Sequence, residues 1–154
     1  MLAPAYHLMA NHTESIMVTF KFYIPAINLM GAGCLQEAAA DIQGHGYRKA
    51  LIVTDKILNQ IGVVAKLTAL LAEHGIESVV FDETKPNPTM TNVESGLRMI
   101  KANGCDCVIS LGGGSPHDCA KGIALVTANG GSIQDYEGVD RSAKPQLPLI
   151  AINT

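Results

Sequence analysis

A run of three glycines and a serine, Gly112-Gly113-Gly114-Ser115, is the stretch whose residue types most directly suggest chemistry. It follows an apolar segment at residues 107–111, short enough for a buried strand, and it precedes residues typical of a helix start. Ser115 is predicted as the N-cap, Pro116 as the first helical residue and Asp118 as the partner in a capping box. Glycines leave backbone N–H groups open to a ligand, and a helix N-terminus favours negative charge. The stretch therefore predicts a seat for a diphosphate; a tight strand–helix turn without a ligand is the alternative.

Three further polar groups follow predicted strands: Asp55, the Pro86-Asn87-Pro88 turn and Asn153-Thr154. Ligands of open parallel sheets bind beyond the carboxyl ends of the strands, so these groups are candidates for the same site as the glycines. A carboxylate at Asp55 would accept hydrogen bonds from ribose hydroxyls and repel an added 2′-phosphate. Asp55 therefore favours NAD over NADP, and its alternative role is to cap the short helix that follows.

Hydrophobic patterning predicts strands and helices in alternation. The strands are short apolar runs at residues 50–54, 78–81, 107–111 and 147–152, the last of them interpreted as buried. The helices are expected at residues 35–42, 63–74, 91–103 and from 116 to about 128. Thr91 and Glu94 form the predicted capping box of the third helix. The alternation implies parallel strands with right-handed crossovers, and therefore a Rossmann-like, doubly wound α/β fold.

Residues outside this core give weaker signals. Residues 18–33 contain two short extended runs and predict an amino-terminal β-hairpin or edge strand. Residues 1–16 are weakly patterned and are interpreted as a loose extension, which leaves one domain at residues 17–154. Because the chain stops directly after a predicted strand, we expect it to be the amino-terminal part of a longer protein.

The composition excludes several classes of protein. Of the 154 residues, 47% are hydrophobic and 16% are charged, which argues against disorder. A net charge of −3 gives no reason to expect nucleic acid or an anionic membrane as partner, and no apolar run reaches the roughly 18 residues of a membrane span. The four cysteines lack the paired spacing of a metal site, so we expect reduced, structural thiols in the cytoplasm.

The order and the composition of the motifs exclude two common types of nucleotide-binding site. In the usual dinucleotide fingerprint, G-x-G-x-x-G comes first and an acidic residue follows about 20 residues later. Here Asp55 comes well before the glycines. The glycine loop also lacks the Gly-Lys-Ser/Thr of a P-loop, which argues against nucleoside triphosphate hydrolysis.

The longer pattern around the glycines resembles a known family. Gly112-Gly113-Gly114-Ser115-Pro116-x-Asp118-x-x-Lys121, with Pro86-Asn87-Pro88-Thr89 upstream and Pro148-x-x-Ala151-x-x-Thr154 downstream, is similar to the iron-containing (group III) alcohol dehydrogenases. Within that family it is most similar to the 1,3-propanediol dehydrogenase and lactaldehyde reductase branch. The resemblance extends from about Phe20 to the last residue.

This resemblance implies an amino-terminal NAD-binding domain followed by a helical domain, and reversible hydride transfer between NAD(H) and a primary alcohol or diol and its aldehyde. It places Asp55 at the adenosine ribose, Asn87 along the cofactor, Gly113, Gly114 and Ser115 at the pyrophosphate, and Asp118 near the ribose and nicotinamide. Thr154 would begin a further cofactor-binding loop. The family's Fe²⁺ is held by one Asp and three His of the helical domain, where it polarises the alcohol oxygen. No metal or catalytic residue is therefore expected in this chain, which alone should be inactive.

Two alternative functions remain open, and one expectation concerns the oligomeric state. The chain could be a non-catalytic nucleotide-binding module. It could also belong to a zinc-dependent polyol or phosphosugar relative of the glycerol dehydrogenase or dehydroquinate synthase type. A homo-oligomer is expected because the hairpin edge could pair with a second chain and the absent domain would leave apolar surface exposed.

Overall fold

In the computed structural model, which describes residues 33–138 and 141–154, four parallel strands form one sheet. The strands are β1 (Lys49–Val53), β2 (Glu77–Phe81), β3 (Cys107–Gly112) and β4 (Leu149–Asn153), and their order in the sheet is β2-β1-β3-β4. The predicted α/β fold with a parallel sheet is confirmed. The predicted extension at residues 1–16 and the hairpin at 18–33 lie outside the described residues, apart from Gly33.

Five α-helices and one 3₁₀ helix accompany the sheet in the described residues. They are α1 (Cys34–Gly44), α2 (Lys56–Gln60), α3 (Val63–Glu73), α4 (Met90–Asn103), α5 (Gly114–Asn129) and the 3₁₀ helix Ile133–Tyr136. Helices α1 and α3 pack on one face of the sheet, and α4 and α5 pack on the other. None of the helices in this part of the chain is long and apolar enough to span a bilayer.

The two central strands carry the core. Residues 50–53 of β1 and 107–111 of β3 are buried throughout, and successive side chains alternate between the two helical layers. This is why both strands are nearly continuous apolar runs in the sequence rather than alternating ones. The sequence pattern therefore predicted these two strands to within a residue.

The interpretation of the last strand as buried is wrong. In β4, Leu149, Ile150 and Ile152 are only half-buried and Ala151 is exposed. The strand pairs with β3 on one side and, among the described residues, has no strand on its other side. An apolar run identifies a strand but does not reveal how many neighbours cover it.

The predicted start of α4 is also wrong. The capping pair is Thr89 and Asn92, not Thr91 and Glu94, because the helix begins at Met90. Asn92 Oδ1 accepts from the Thr89 amide at 3.2 Å, while its Nδ2 donates to the Glu83 carbonyl at 3.0 Å. The buried amide of Asn92 thus ties the helix start to the loop that follows β2, which a spacing rule alone does not reveal.

A single carboxylate holds the amino-terminal edge of the sheet. Asp106, just before β3, accepts hydrogen bonds from the backbone N–H groups of Arg48 at 2.8 Å and Lys49 at 3.1 Å. Lys49 also forms an ion pair with Glu77 of β2 at 3.1 Å. These contacts fix the register of three strands at the end of the sheet opposite the glycine loop.

Candidate active site at the carboxyl edge of the sheet

The chain reverses its direction across the sheet between β1 and β3. After β1 it continues into α2 and α3, and α3 packs on one face; after β3 it continues into α5, which packs on the other face. Because β1 and β3 are neighbours, their connections diverge and leave a crevice at the carboxyl ends of these two strands. Asp55 and the glycine loop both border this crevice.

The three glycines have different structural roles. Gly112 is buried with φ +138°, and a Cβ atom there would lie 2.9 Å from Pro116 Cγ and 3.1 Å from Leu58 Cδ1. Gly113 and Gly114 are exposed, have no positive φ and would place a Cβ atom in open space. Neither backbone conformation nor packing explains glycine at these two positions. Their bare backbone fits close approach by a ligand at this crevice.

The start of α5 differs from the prediction. Gly113, not Ser115, is the N-cap, and Ser115, Pro116 and Asp118 are the second, third and fifth helical residues, so Asp118 is not a capping residue. The reason is that Gly113 adopts an extended backbone and its carbonyl accepts from the His117 amide at 3.3 Å, which starts the helix at Gly114. Pro116 has no N–H, so the free amides of the first turn are those of Gly114 and Ser115. No side-chain oxygen caps them, and the helix dipole favours an anion there.

Asp55 is the N-cap of α2, the alternative role considered for it. Its Oδ1 accepts from the Leu58 amide at 3.0 Å. The side chain is half-buried, and Leu58 reaches the glycine loop at Gly112. Asp55 thus lies on the β1 side of the crevice, with one carboxylate oxygen engaged in capping.

Asn87 and Asp118 lie near a second concavity. Asn87 has φ +56°, a left-handed conformation in the exposed turn that follows β2. The next residues, Pro88 and Thr89, line an open groove of about 410 Å³ whose other wall includes Asp118 and Lys121. Asp118 is exposed and pairs with Lys121 at 3.5 Å. The structure therefore brings Asp118 close to the turn of Asn87.

Thr154 follows β4 directly and lies beside the glycine loop. The register of the sheet pairs Gly112 with Asn153, the residue before Thr154. Of the predicted residues, the glycine loop, Asp55 and Thr154 thus share the carboxyl edge of neighbouring strands. Asp118 lines the groove instead, and Asn87 immediately precedes the lining residue Pro88.

A side-chain network at this edge was missed by sequence reasoning. His117 Nδ1 lies 2.7 Å from Ser110 Oγ, and His117 Nε2 lies 2.6 Å from Asn153 Oδ1. The sequence pattern assigns no role to His117, and a serine inside an apolar strand gives no signal of a partner seven residues away. The contact exists because α5 folds back over β3.

The comparisons with known proteins agree with this geometry. A family model described as iron-containing alcohol dehydrogenase matches residues 25–154. The chain belongs to the iron-containing alcohol dehydrogenase family. The family resemblance proposed from the glycine and proline motifs is thereby confirmed.

Relatives of this chain include two curated proteins and a solved structure. It is 56% identical to "Alcohol dehydrogenase 4" of Schizosaccharomyces pombe over 92% of this chain and 34% of the relative. It is 41% identical to "NAD-dependent methanol dehydrogenase" of Bacillus methanolicus over 86% of this chain and 35% of the relative. The structure of a 1,3-propanediol oxidoreductase matches with a TM-score of 0.84 at 39% identity, covering 89% of this chain and 36% of that chain. The chain thus spans about a third of the length of the relatives it matches.

The described part of this chain does not fit the family's iron. No group of three or more His, Cys, Asp or Glu side chains in residues 33–138 and 141–154 could hold a metal ion. The four cysteines, Cys34, Cys105, Cys107 and Cys119, carry free thiols. Burial raises the pKa of Cys107 to about 12 and that of Cys119 to about 11, which makes both poor nucleophiles and poor metal ligands.

Proposed function

We propose that this chain is the NAD-binding part of an iron-dependent alcohol dehydrogenase that interconverts a primary alcohol or diol and its aldehyde. The observation that carries the proposal is the pair Gly113 and Gly114, whose missing side chains are required neither by φ nor by packing. They lie at an uncapped helix start in the crevice where the chain reverses across the sheet. The relative named as an NAD-dependent methanol dehydrogenase supports NAD as the dinucleotide.

The backbone would hold the charged centre of the dinucleotide. The free amides of Gly114 and Ser115 point out of the first turn of α5, where they can donate to the pyrophosphate. Exposed Gly113 allows the phosphates to approach without a steric clash. Gly112 contributes indirectly, because only glycine fits the turn that brings α5 to this position.

Asp55 would select the adenosine ribose. One of its oxygens caps α2, and the other can accept from ribose hydroxyls. Its negative charge would disfavour the 2′-phosphate of NADP. We further assign Asn87 to a position along the cofactor, Asp118 to the nicotinamide side and Thr154 to the loop beside the pyrophosphate.

The metal must come from elsewhere in the enzyme. The described residues contain no suitable ligand cluster, so we propose that Fe²⁺ is held by residues outside them. This chain on its own should bind NAD weakly and should not oxidise alcohols. Metal-dependent oxidation of ethanol or 1,3-propanediol by residues 1–154 alone would contradict this assignment.

The environment of the enzyme is part of the same proposal. Free, partly or fully buried cysteines are typical of a reducing compartment, which supports a cytoplasmic enzyme. Exposed Ile57 of α2 and Ile61, which directly follows α2, provide apolar surface for contact with another domain or with a second copy in a homo-oligomer.

The test is isothermal titration calorimetry, in which NAD is titrated into the parent protein and into the Gly113→Val variant. We expect the valine to block the pyrophosphate and abolish binding, with the circular dichroism spectrum unchanged. Gly44→Val is the matched control, since Gly44 is also exposed with open space around it but ends α1; it should bind NAD like the parent. If Gly113→Val binds NAD with the parental affinity, the glycine loop is only a turn and the proposal fails.

A further inference from the structure

His117 joins three elements at the edge of the glycine loop. Its ring lies between Ser110 of β3 and Asn153, the last residue of β4, at 2.7 and 2.6 Å. A neutral ring with its hydrogen on Nε2 satisfies both contacts: Nε2–H donates to Asn153 Oδ1, and Nδ1 accepts from the Ser110 hydroxyl. One side chain of α5 thus connects the helix to two neighbouring strands.

The serine in the inner contact of this network is fully buried. Ser110 has no exposed surface and lies between apolar residues of β3. A buried hydroxyl is unfavourable unless it is hydrogen-bonded, so Ser110 depends on His117. An apolar residue would fill this core position without such a requirement. A satisfied polar pair at this point specifies one orientation of α5 rather than adding to the core.

The first turn of α5 lacks the usual means of fixing a helix start. Gly113 offers no side-chain cap, and Pro116 offers no N–H. The amides of Gly114 and Ser115 are therefore oriented by whatever anchors the rest of that turn. His117 belongs to the same turn, and its ring is held at both nitrogens.

We propose that His117 is a positioning residue for the dinucleotide, acting through Asn153. Its bond to Asn153 holds the first turn of α5 against the end of β4, so that the amides of Gly114 and Ser115 are presented together with Thr154. This inference rests on the proposed NAD site, because it explains how that site is held in shape. His117 itself need not touch the dinucleotide.

Two conservative substitutions separate the two contacts of the ring. In His117→Gln the side-chain amide reaches the place of Nε2, so the bond to Asn153 is kept and the bond to Ser110 is lost. In His117→Asn the side-chain amide reaches only the place of Nδ1, so Ser110 remains satisfied and Asn153 is released. A role limited to core stability and a role in positioning the site therefore predict opposite rankings of the two variants.

The experiment measures the Kd for NAD and the thermal midpoint of each variant in the natural full-length protein. We expect His117→Asn and Asn153→Ala each to weaken NAD binding by about three- to tenfold, the range for one lost hydrogen bond. The double variant His117→Asn/Asn153→Ala should lose no more NAD affinity than either single variant. His117→Gln should bind NAD with nearly the parental affinity. The KM for NAD should rise with the Kd, while the KM for the alcohol stays unchanged. His117→Gln should nevertheless have the lower thermal midpoint, because it leaves Ser110 unpaired.

Any result in which His117→Gln binds NAD no better than His117→Asn overturns the inference. Gly113→Val, measured alongside, distinguishes this failure from failure of the NAD site itself. If Gly113→Val loses NAD while both His117 variants bind like the parent, the site is correct and the role of His117 is not. If Gly113→Val also binds NAD normally, both proposals fall together.

Discussion

Gly96 of α4 lies directly against Ile123 of α5. A Cβ atom at Gly96 would come within 2.8 Å of Ile123 Cγ1 and still closer to its Cδ1. Both residues are buried, and this close approach of the two helices sets the distance of α5 from the rest of the layer. The position of the candidate site thus depends on a glycine that is far from it in the sequence.

Gly96→Ala should therefore destabilise the fold. Overpacking of a buried contact typically costs about 1–3 kcal/mol, partly offset by about 1 kcal/mol of better helix propensity. Ile123→Val removes the closest atom, so the double variant should lose less stability than the two single losses added together. Urea unfolding measures both, and Gly44→Ala, where a methyl group meets no neighbour, is the control. A Gly96→Ala protein more stable than the parent would contradict the close contact.

Gly112 and Gly113 should respond differently to alanine. Gly112→Ala places a methyl group at φ +138° against Pro116 and Leu58 and should cost about 1–3 kcal/mol of unfolding free energy. Gly113→Ala should change stability little, because its backbone suits any residue and the space around it is open. Chemical unfolding of the two variants tests this. Equal stability losses would mean that the loop has been assigned the wrong conformation.

Asp55 has two separable roles. Asp55→Ala removes the cap of α2 and should cost about 1 kcal/mol, whereas Asp55→Ser keeps an oxygen for the Leu58 amide and should be nearly as stable as the parent. Both variants lose the negative charge, so both should show a narrower preference for NAD over NADP. The ratio of the two Kd values, measured by calorimetry, is the readout. An unchanged ratio in Asp55→Ser would leave capping as the residue's role.

Cys107 should make stability fall at alkaline pH. Burial, and next the charge of Asp106, raises the pKa of its thiol from 9.0 to about 12. The folded protein therefore binds this proton more tightly than the unfolded chain does. The contribution of the protonated Cys107 thiol to stability is complete below pH 9 and is lost as the pH rises from 9 to 12. Thermal midpoints measured across this range should fall less steeply in Cys107→Ala than in the parent. Parallel curves would show that other groups govern the alkaline transition.

The sequence predicted well what depends on local pattern and poorly what depends on neighbours. The central strands were located because both faces of β1 and β3 are covered, so their apolar runs are continuous. Burial of β4 was misjudged because it depends on what lies beside Ala151. The helix starts at Thr89 and Gly113 were shifted because serine, threonine and glycine offer several possible caps within a few residues. Backbone conformation decides among them.

The candidate site shows the same division. The glycine loop and Asp55 were recognised because their residue types follow strand ends, and parallel strands bring those ends to one edge. The network of His117 was invisible because it requires α5 to fold back over β3. The sequence could nominate the residues of the candidate site, but not the side chain that connects α5 to both neighbouring strands.

The hydrogen bonds from the Arg48 and Lys49 amides to Asp106 imply different functions for the two ends of the sheet: one end stabilises the fold, and the other is the candidate binding site. The backbone amides of Arg48 and Lys49, at the start of β1, both donate to this carboxylate. Asp106→Ala should therefore lower the stability of the fold without changing the affinity for a dinucleotide. At the opposite end, the amides of Gly114 and Ser115 have no side-chain cap and are free to donate to a ligand. A mutational survey that measures both folding and dinucleotide affinity should therefore separate the two ends of the sheet. Substitutions near Asp106 should reduce the amount of folded protein, whereas substitutions near Gly113 should leave the protein folded but unable to bind the dinucleotide.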